Sequence, residues 1–438
     1  MPRAQEGAPQ RATPPFGGYR WVICALLFAA TAINYIDRQM IGVLKPTMQA
    51  ELGWRESQYA DIVFWFQCAY AIGYLALGRF MDVAGARFGY AITFAFWTLA
   101  HMAHGLVRGV TQFALARFAL GIGESGNFPA GLKAVTEWFP QRERALAVGI
   151  FNAGANVGAV LTPLIVPAIT LAYGWRMAFI ATGALSLVWL VAWIAIYRQP
   201  SRHPRVGAEE LALIGEGAET SVPAGSGGSS WRQLLGLRET WALVIAKFMT
   251  DPIWWMYLFW LPDFLGKRYG LDLASFGPPL VVIYLMSDLG SVAGGWASSR
   301  LLKRGATPNR ARKLVMLVCA IAVTPVLFVQ FVDRLWSAVL LIGIATAAHQ
   351  AFSANLLTLP SDLFPRRAVG SVIGIAGAAG ALGGMAMAKY AGFVLDALGS
   401  YAPIFAVAGS AYILALLALH LLSPRLVPVE ASRLEVQS

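Results

Sequence analysis

The sequence predicts an all-α membrane protein whose twelve transmembrane helices form two pseudo-symmetric six-helix bundles. Three observations support this prediction: the composition, a series of apolar segments, and a stretch of sequence that recurs in both halves of the chain. Of the 438 residues, 57% are hydrophobic and only 13% are charged, whereas soluble domains contain about 25% charged residues. The composition therefore excludes an ordinary soluble enzyme and a disordered chain.

Twelve apolar segments account for most of the chain, and each has roughly the 20-residue length that spans a bilayer. Backbone groups in lipid must be hydrogen-bonded internally, and these segments lack the two-residue alternation of barrel strands, so each is predicted to be a helix. The predicted limits are 21–44, 58–81, 87–107, 111–135, 144–171, 175–197, 240–264, 276–299, 312–332, 335–360, 369–394 and 400–422.

Polar stretches divide the chain into five parts. The first residues are rich in Pro, Gly and Arg without an apolar core, which indicates a polar tail and not a cleaved signal peptide. The central loop contains a Gly/Ser run typical of a flexible linker, and a short surface helix is predicted near 208–219. The predicted parts are an N-terminal tail 1–20, a six-helix bundle 21–197, a central loop 198–239, a second bundle 240–422 and a C-terminal tail 423–438.

Lysine and arginine are distributed unevenly between the two sides of the predicted bundles. Connections on the side of the termini contain 22 of the 34 Lys and Arg residues, and the opposite connections contain 7. Because positive charge is retained in the cytoplasm, we expect a multi-pass protein of the inner (plasma) membrane. Both termini and the central loop are then cytoplasmic. The formal charge of +11 is explained by these membrane-flanking connections, so we expect no nucleic-acid partner.

The two halves of the chain contain related sequences. Residues 139–160 and 364–385 are identical at seven of 22 positions at an offset of 225, and both begin with Phe-Pro-x-Arg. Parallel six-helix repeats are typical of transporters, in which the binding site lies between the repeats near the bilayer midplane. We therefore expect a solute site between the bundles, and no enzyme activity.

Ionisable residues inside apolar segments cost about 2.5–3.5 kcal/mol each at the bilayer centre, so they are functional candidates. In the first segment Asp37 and Arg38 are neighbours about 100° apart on a helix, and can face adjoining parts of one cavity. The guanidinium fork of Arg38 suits a carboxylate, and Asp37 can accept a proton if it is buried. The alternative is a structural ion pair between the two.

The fourth segment contains Arg117 and Glu124, which are seven residues apart and therefore on one helix face. A buried glutamate near a cation is a candidate protonation switch; the alternative is a structural pair with another helix. His349 of the tenth segment corresponds to Glu124 at the offset of 225. A histidine there is more commonly a hydrogen-bonded core residue than a proton carrier.

Polar side chains recur at four-residue spacing in two other segments, Tyr70 with Tyr74 and Asn152 with Asn156. Each pair shares a helix face. They are candidates either for binding substrate hydroxyls or for hydrogen bonds between helices.

The sequence contains no cofactor or metal motif. Its three cysteines lack metal spacing, and Gly121-x-Gly123 lies in an apolar segment without the strand that a dinucleotide site requires. Zinc, P-loop and nucleophile motifs are also missing from the sequence. We therefore expect no cofactor, no metal and no ATP-driven transport by this chain alone.

The segment Gly78–Arg87 resembles the G-x-x-x-D-R-x-G-x-R signature of the major facilitator superfamily, with Val83 in place of the usual Arg. The resemblance implies the major facilitator fold. It also implies that Gly78, Asp82, Gly85 and Arg87 form a conformational-switch loop.

Residues 20–424 are similar to the anion:cation symporter family, most of all to its hexuronate branch. The shared motifs are Asn34-Tyr35-x-Asp37-Arg38, Arg117-x6-Glu124, Phe128-Pro129-Ala130-Gly131-Leu132-Lys133, and the stretches around Asp251-Pro252-x-Trp254, Asp288-Leu289-Gly290 and His349-Gln350-Ala351. In the related galactonate carriers the Gln used in helix 5 falls at Ala155 here, and the Asn used in helix 11 falls at Gly374.

The resemblance implies proton handling by Asp37 and Glu124, and substrate binding or coupling by Arg38, Arg117 and Tyr70. The complete predicted substrate site is Arg38, Tyr35, Tyr70, Arg117, Asn152, Asn156, Trp254 and His349.

These observations predict a proton-coupled symporter that imports a sugar-acid anion, such as a hexuronate or an aldonate, by alternating access. It is expected to act as a monomer in the lipid bilayer, with protons and a small organic anion as its partners. The alternatives are a proton-driven exporter of another organic anion and a transporter-like sensor without flux. The paired acids Asp37 and Glu124 argue against the sensor, which need not keep buried carboxylates.

Overall fold

The computed structural model describes residues 18–215 and 231–429, which form helices and connecting turns without a β-strand. The N-terminal half contains α1 (Arg20–Leu52), α2 (Glu56–Ala103), α3 (Val110–Glu124), α4 (Asn127–Trp138), α5 (Gln141–Tyr173) and α6 (Trp175–Ile196). The central loop contains α7 (Ala208–Gly215) and α8 (Trp231–Leu235). The C-terminal half contains α9 (Arg238–Tyr269), α10 (Gly277–Lys303), α11 (Pro308–Val323), α12 (Leu335–Leu363), α13 (Arg366–Leu398) and α14 (Ala402–Leu422).

The prediction of an all-α membrane protein is confirmed, and every predicted apolar segment falls mainly on helical residues. Eight helices of the described residues are long and apolar enough to cross a membrane, and a ninth is reached if the bent pair Glu56–Tyr74 and Ala76–Ala103 is one span. The number twelve stays a prediction for the remaining segments.

Some predicted segments are joined or divided in the structure. The second and third segments lie in α2, which is interrupted by Gly85 at φ 74° and ψ 162°. This conformation is essentially restricted to glycine, and it lets the chain reverse direction within a few residues. The fourth segment is divided into α3 and α4, and the ninth continues beyond α11 as a 3-10 helix, Thr324–Phe331.

Glycines bring neighbouring helices of each half close together. A Cβ atom at Gly154 or Gly158 of α5 would lie 2.2 Å or 2.3 Å from a backbone oxygen of α1. In the other half, Gly290 of α10 packs on Ala347 of α12 in the same way. Small residues allow this approach between membrane helices, so these positions serve packing.

Among the described residues, the most extensive contacts between the two halves join α1 with α9, α2 with α13, and α5 with α10. We call the end of the molecule at which both halves begin and finish the terminal end, and the opposite end the distal end. At the distal end Gly42 of α1 packs against the backbone of Leu258 in α9, and the Tyr59 hydroxyl donates to the carbonyl of Phe259.

Three buried charges and the exposed Lys267 also close the distal end, and we call these four residues the distal ring. Lys45 of α1 contacts Glu56 at 2.6 Å and Asp263 of α9 at 2.7 Å. Lys267 of α9 contacts Glu56 at 2.5 Å and Asp263 at 2.9 Å. Each lysine therefore binds one carboxylate from each half, and the ring holds the halves together at this end.

The central loop packs against the start of the first half. Glu210 of α7, where a surface helix is predicted, accepts hydrogen bonds from the backbone N–H groups of Tyr19 and Arg20 at 3.0 Å each. Most of the predicted N-terminal tail, the Gly/Ser run of the loop and the last nine residues lie outside the described residues. These parts of the chain are 1–17, 216–230 and 430–438.

Candidate functional site

A cavity of about 300 Å³ lies between the two halves, on the terminal side of the distal closure. Its wall is formed by side chains of α2, α4, α9, α12 and α13. Aromatic and small apolar residues make up most of this wall, and they come from both halves. The side chains with polar atoms are Tyr70, Tyr74, Lys247, Asp251 and Trp255.

The guanidinium of Arg38 lies directly behind this wall. The carbon atom Cζ is 4.7 Å from the ring centre of Tyr70 and 5.4 Å from that of Trp255. Tyr35 and Phe66 add two more rings at 4.9 Å and 5.8 Å. Cations are attracted to the faces of aromatic rings, so these four rings form an aromatic cage around a cation that is only 4% exposed.

Arg38 is paired with Glu124 across the N-terminal half. The Nε atom of Arg38 donates to Oε2 of Glu124 at 3.0 Å, and Nη2 donates to the side-chain oxygen of Asn34 at 2.9 Å. Glu124 is completely buried. The alternative of an ion pair between Asp37 and Arg38 is therefore not observed, because Arg38 binds Glu124 and Asp37 lies near His101.

Glu124 reaches Arg38 because α3 packs closely against α2 and ends at this residue. A Cβ atom at Gly121 would lie 2.5 Å from the carbonyl oxygen of Phe66, and one at Gly123 would lie 2.6 Å from Trp97. The Gly121-x-Gly123 pattern thus serves helix packing. It brings the carboxylate to the level of the aromatic cage.

Asp37 lies on the other side of α1 and is also completely buried. Its Oδ1 atom is 3.3 Å from Nε2 of His101 in α2. The same His101 nitrogen is 2.8 Å from the Thr182 hydroxyl of α6. The Thr182 hydroxyl also lies 2.8 Å from the carbonyl of Ala178, so Asp37, His101 and Thr182 form a buried polar cluster between α1, α2 and α6.

Arg117 of α3 is a second buried cation next to Arg38. Its Nη1 atom donates to the backbone carbonyl of Arg38 at 3.3 Å, and its Cζ atom is 5.6 Å from the Phe66 ring centre. Arg117 is completely buried. It therefore places a second positive charge beside the first, in a part of the protein that is poor in water.

Lys247 and Asp251 form an ion pair in the wall of the cavity. Their side chains are one turn apart on α9, with Nζ and Oδ2 2.6 Å apart. The lysine side chain is 14% exposed and that of the aspartate is 20% exposed. They supply the charges that directly line the cavity among the described residues.

Other predicted site residues lie away from the cavity lining. His349 is stacked on Trp254 with ring centres 5.4 Å apart, and its Nδ1 atom is 2.5 Å from the Tyr412 hydroxyl. This is the hydrogen-bonded core position that its sequence context favours. Asn152 is exposed on α5 and Asn156 is half-buried, and neither lines the cavity.

The predicted switch loop lies at the terminal end. Asp82 approaches Lys133 of α4 at 3.8 Å, and Arg87 donates to the carbonyl of Ile194 in α6 at 2.8 Å. Gly85 supplies the reversal in α2, whereas a Cβ atom at Gly78 would meet nothing within 4 Å. The described contacts of this loop therefore stay within the first half.

Sequence analysis did not assign His101 or Lys247 to the site. The sequence could have identified Lys247, because an opposite charge four residues further along an apolar segment indicates an ion pair on one helix face. His101 had no such signal, since its partners Asp37 and Thr182 come from other helices. Within the described ranges, no group of three His, Cys, Asp or Glu side chains is arranged to hold a metal ion.

Comparisons with known proteins identify the family of this chain. Residues 27–388 match the family model of the Major Facilitator Superfamily. The hexuronate transporter of Escherichia coli (strain K12) is 33% identical over 393 residues, 89% of this chain and 90% of that protein. The galacturonate transporter of Dickeya chrysanthemi is 36% identical over 281 residues, 64% of this chain and 81% of that protein.

A solved structure has the same overall fold. The inward-facing, occupied form of a bacterial homologue of the human lysosomal transporter Spinster superimposes with a TM-score of 0.70 at 17% sequence identity. The match covers 94% of this chain and 96% of that one.

Proposed function

This chain belongs to the Major Facilitator Superfamily, and from that premise we propose that it is a proton-coupled symporter that imports a sugar-acid anion by alternating access. Its relatives include a hexuronate and a galacturonate transporter, which supports a sugar acid as the substrate. The cavity between the two halves has the location that such a substrate requires.

The observation that carries the proposal is the buried ion pair between Arg38 and Glu124 at 3.0 Å behind the cavity wall. A substrate carboxylate needs the same guanidinium that Glu124 occupies. Protonation of Glu124 removes its charge and releases Arg38 for the substrate. Proton uptake and anion binding are thereby linked, because each favours the same arrangement of one arginine.

The charges around the cavity support the requirement for a proton. The residues around the cavity include three cations and three acids, so the empty site has no net charge when all six are ionised. An added carboxylate leaves one uncompensated negative charge in a medium of low dielectric constant, which is strongly unfavourable. At least one proton per anion is therefore required. The six residues are Arg38, Arg117 and Lys247 with Asp37, Glu124 and Asp251.

The direction of opening follows from the distal ring and from the charge bias of the sequence. If the termini are cytoplasmic, the distal ring closes the outer side, and the cavity belongs to a carrier that faces inwards. Transport then requires the ring to open and the terminal end to close. Protons enter with the anion when the outside is acidic, so the proposal predicts import in a bacterial inner membrane.

Replacement of Glu124 by glutamine tests the proposal in proteoliposomes. Glu124→Gln mimics the protonated acid, so the variant is expected to exchange labelled galacturonate at a rate similar to the parent. It is expected not to accumulate galacturonate against its gradient when the outside is acidic. Accumulation at the parental level would contradict the role of Glu124.

A matched control is Glu51→Gln, which removes an exposed partner of Arg176 in the same half. This variant should keep both exchange and accumulation. The direction of transport is tested with the parent alone. Loss of preloaded galacturonate against its gradient, driven by an acidic outside, would favour the alternative of an exporter.

A further inference from the structure

Lys247 and Asp251 cancel each other in the charge balance described above, and no ligand has yet been assigned to them, although they line the cavity. Charged side chains inside the membrane are energetically costly, so they are functional candidates by default. Here the pair lies in a wall whose remaining side chains are mostly apolar, and it faces α13, whose Gly380 leaves room for the carboxylate. A Cβ atom at Gly380 would lie 2.3 Å from Oδ2 of Asp251.

The pair retains unused hydrogen-bonding capacity. An ammonium group has three N–H donors and a carboxylate has about four acceptor positions. The described contacts use one donor of Lys247 and one oxygen of Asp251, through their mutual ion pair. Both side chains are partly exposed to the cavity, so a ligand can contact them without breaking that pair.

We propose that Lys247 and Asp251 together bind hydroxyl groups of the substrate, while Arg38 binds its carboxylate. The inference rests on the proposed function and specifies the substrate class as a polyhydroxylated carboxylic acid. A hydroxyl group can donate to the aspartate and accept from the lysine. An anion suits the pair less well, because Asp251 repels it while Lys247 attracts it.

The order of residues along α9 fits such a ligand. Lys247, Asp251 and Trp255 are spaced by four residues and form one stripe. The first two span one helical turn of about 5.4 Å. Trp255 is the nearest of the three to the N-terminal half, since its ring centre is 5.4 Å from Cζ of Arg38. The ring of Trp255 therefore separates the carboxylate position from the hydroxyl position and offers an apolar face to a sugar ring.

This arrangement also explains how one substrate could contact both halves. Arg38 belongs to α1 and the ion pair belongs to α9. A ligand that contacts both bridges the interface at which the halves move. A carboxylate without hydroxyl groups would reach only the first of them.

The test compares two ligands that share a ring and a carboxylate. Galacturonate carries hydroxyl groups, and tetrahydropyran-2-carboxylate lacks them. Binding to purified protein is measured by calorimetry at equilibrium, without a proton gradient. The parent is expected to bind galacturonate about 10- to 100-fold more tightly, the range expected for hydrogen bonds to charged groups.

Asp251→Asn and Lys247→Gln are expected to weaken galacturonate binding about tenfold or more and to leave tetrahydropyran-2-carboxylate binding unchanged. Unchanged binding of the second ligand also shows that the variant is folded. Asp288→Asn, an acid on α10 that does not line the cavity, is the control and should change neither affinity.

Equal losses for both ligands, or no loss for either, would overturn the inference. A parent that binds the two acids equally, or neither of them, would overturn it as well. Failure of proton coupling alone would show itself differently. The parent would then keep the ligand preference at equilibrium but would not accumulate galacturonate in proteoliposomes.

Discussion

Under the proposed function, Arg38 is a single buried cation that binds two anions in turn. Its guanidinium has five N–H donors in a plane, and the structure uses Nε for Glu124 and Nη2 for Asn34. Four aromatic rings hold that plane from several sides. The group is therefore positioned before a substrate arrives, which lowers the entropic cost of binding.

Substitution of Arg38 by lysine keeps the charge but removes the planar fork. A lysine cannot make two parallel hydrogen bonds to a carboxylate, so we expect Arg38→Lys to weaken galacturonate binding about tenfold or more. Calorimetry with purified protein measures the affinity. Arg176→Lys, at an exposed pair with Glu51, is the matched control. Parental affinity in Arg38→Lys would remove Arg38 from the substrate site.

The charged residues of the predicted site were identified because charge inside an apolar segment is costly to bury, and such segments can be recognised from the hydropathy of one sequence. Asp37, Arg38, Arg117 and Glu124 are indeed completely or almost completely buried. Their partners were not predictable in the same way. Arg38 and Glu124 are 86 positions apart, and their contact depends on how α1, α2 and α3 pack.

Gly85 shows how one element carries the reversal between two predicted helices. Its φ of 74° and ψ of 162° lie in a region that L-residues with a Cβ atom avoid, at a cost of about 1–3 kcal/mol. Gly78, on the preceding turns of α2, has no positive φ and open surroundings. Gly85 is therefore required by its backbone conformation, whereas neither φ nor close packing requires a glycine at position 78.

Gly85→Ala is expected to lower the free energy of unfolding by about 1–3 kcal/mol, because alanine is strained in this conformation. Gly78→Ala is the matched control and should be neutral or slightly stabilising, since alanine favours a helix interior by about 0.5–1 kcal/mol. Thermal unfolding of the detergent-solubilised variants measures the difference. Equal unfolding temperatures for both variants would contradict the proposed strain.

Hydropathy predicted where the helical segments lie but not how they are interrupted. The segment predicted at 111–135 is divided into α3 and α4 at Ser125 and Gly126. An apolar average over about 20 residues cannot detect a break of two residues. Because of this break, Glu124 is the last residue of α3, so the break also affects the candidate site.

On the scale of the whole molecule, the acids Asp37 and Glu124 are both completely buried but lie in separate surroundings, and we expect them to govern the response of uptake to a membrane potential. Asp37 approaches His101, whereas Glu124 is bound by Arg38. Because Asp37 is not neutralised by its neighbour Arg38, we propose that both acids carry protons. Two protons with one monovalent anion move a net positive charge inwards.

Uptake is therefore expected to accelerate when the inside of the vesicle is negative, by up to about 2.3 kcal/mol of driving force per charge per 100 mV. Galacturonate uptake is measured in proteoliposomes clamped with potassium and valinomycin at a fixed pH gradient. Asp37→Asn should lose this response. A parent that is indifferent to the potential would indicate one proton per anion and would return Asp37 to a structural role.

The distal ring has a consequence for the balance between the two states of the carrier. Opening this end admits water to Lys45, Glu56, Asp263 and Lys267, and hydration offsets several kcal/mol per ion of what the broken pairs lose. An apolar seal of the same extent would gain nothing from water and would lose about 25 cal/mol for each Å² exposed. We therefore expect the free energies of the closed and open forms to differ less with a charged closure than with an apolar one, which favours repeated turnover.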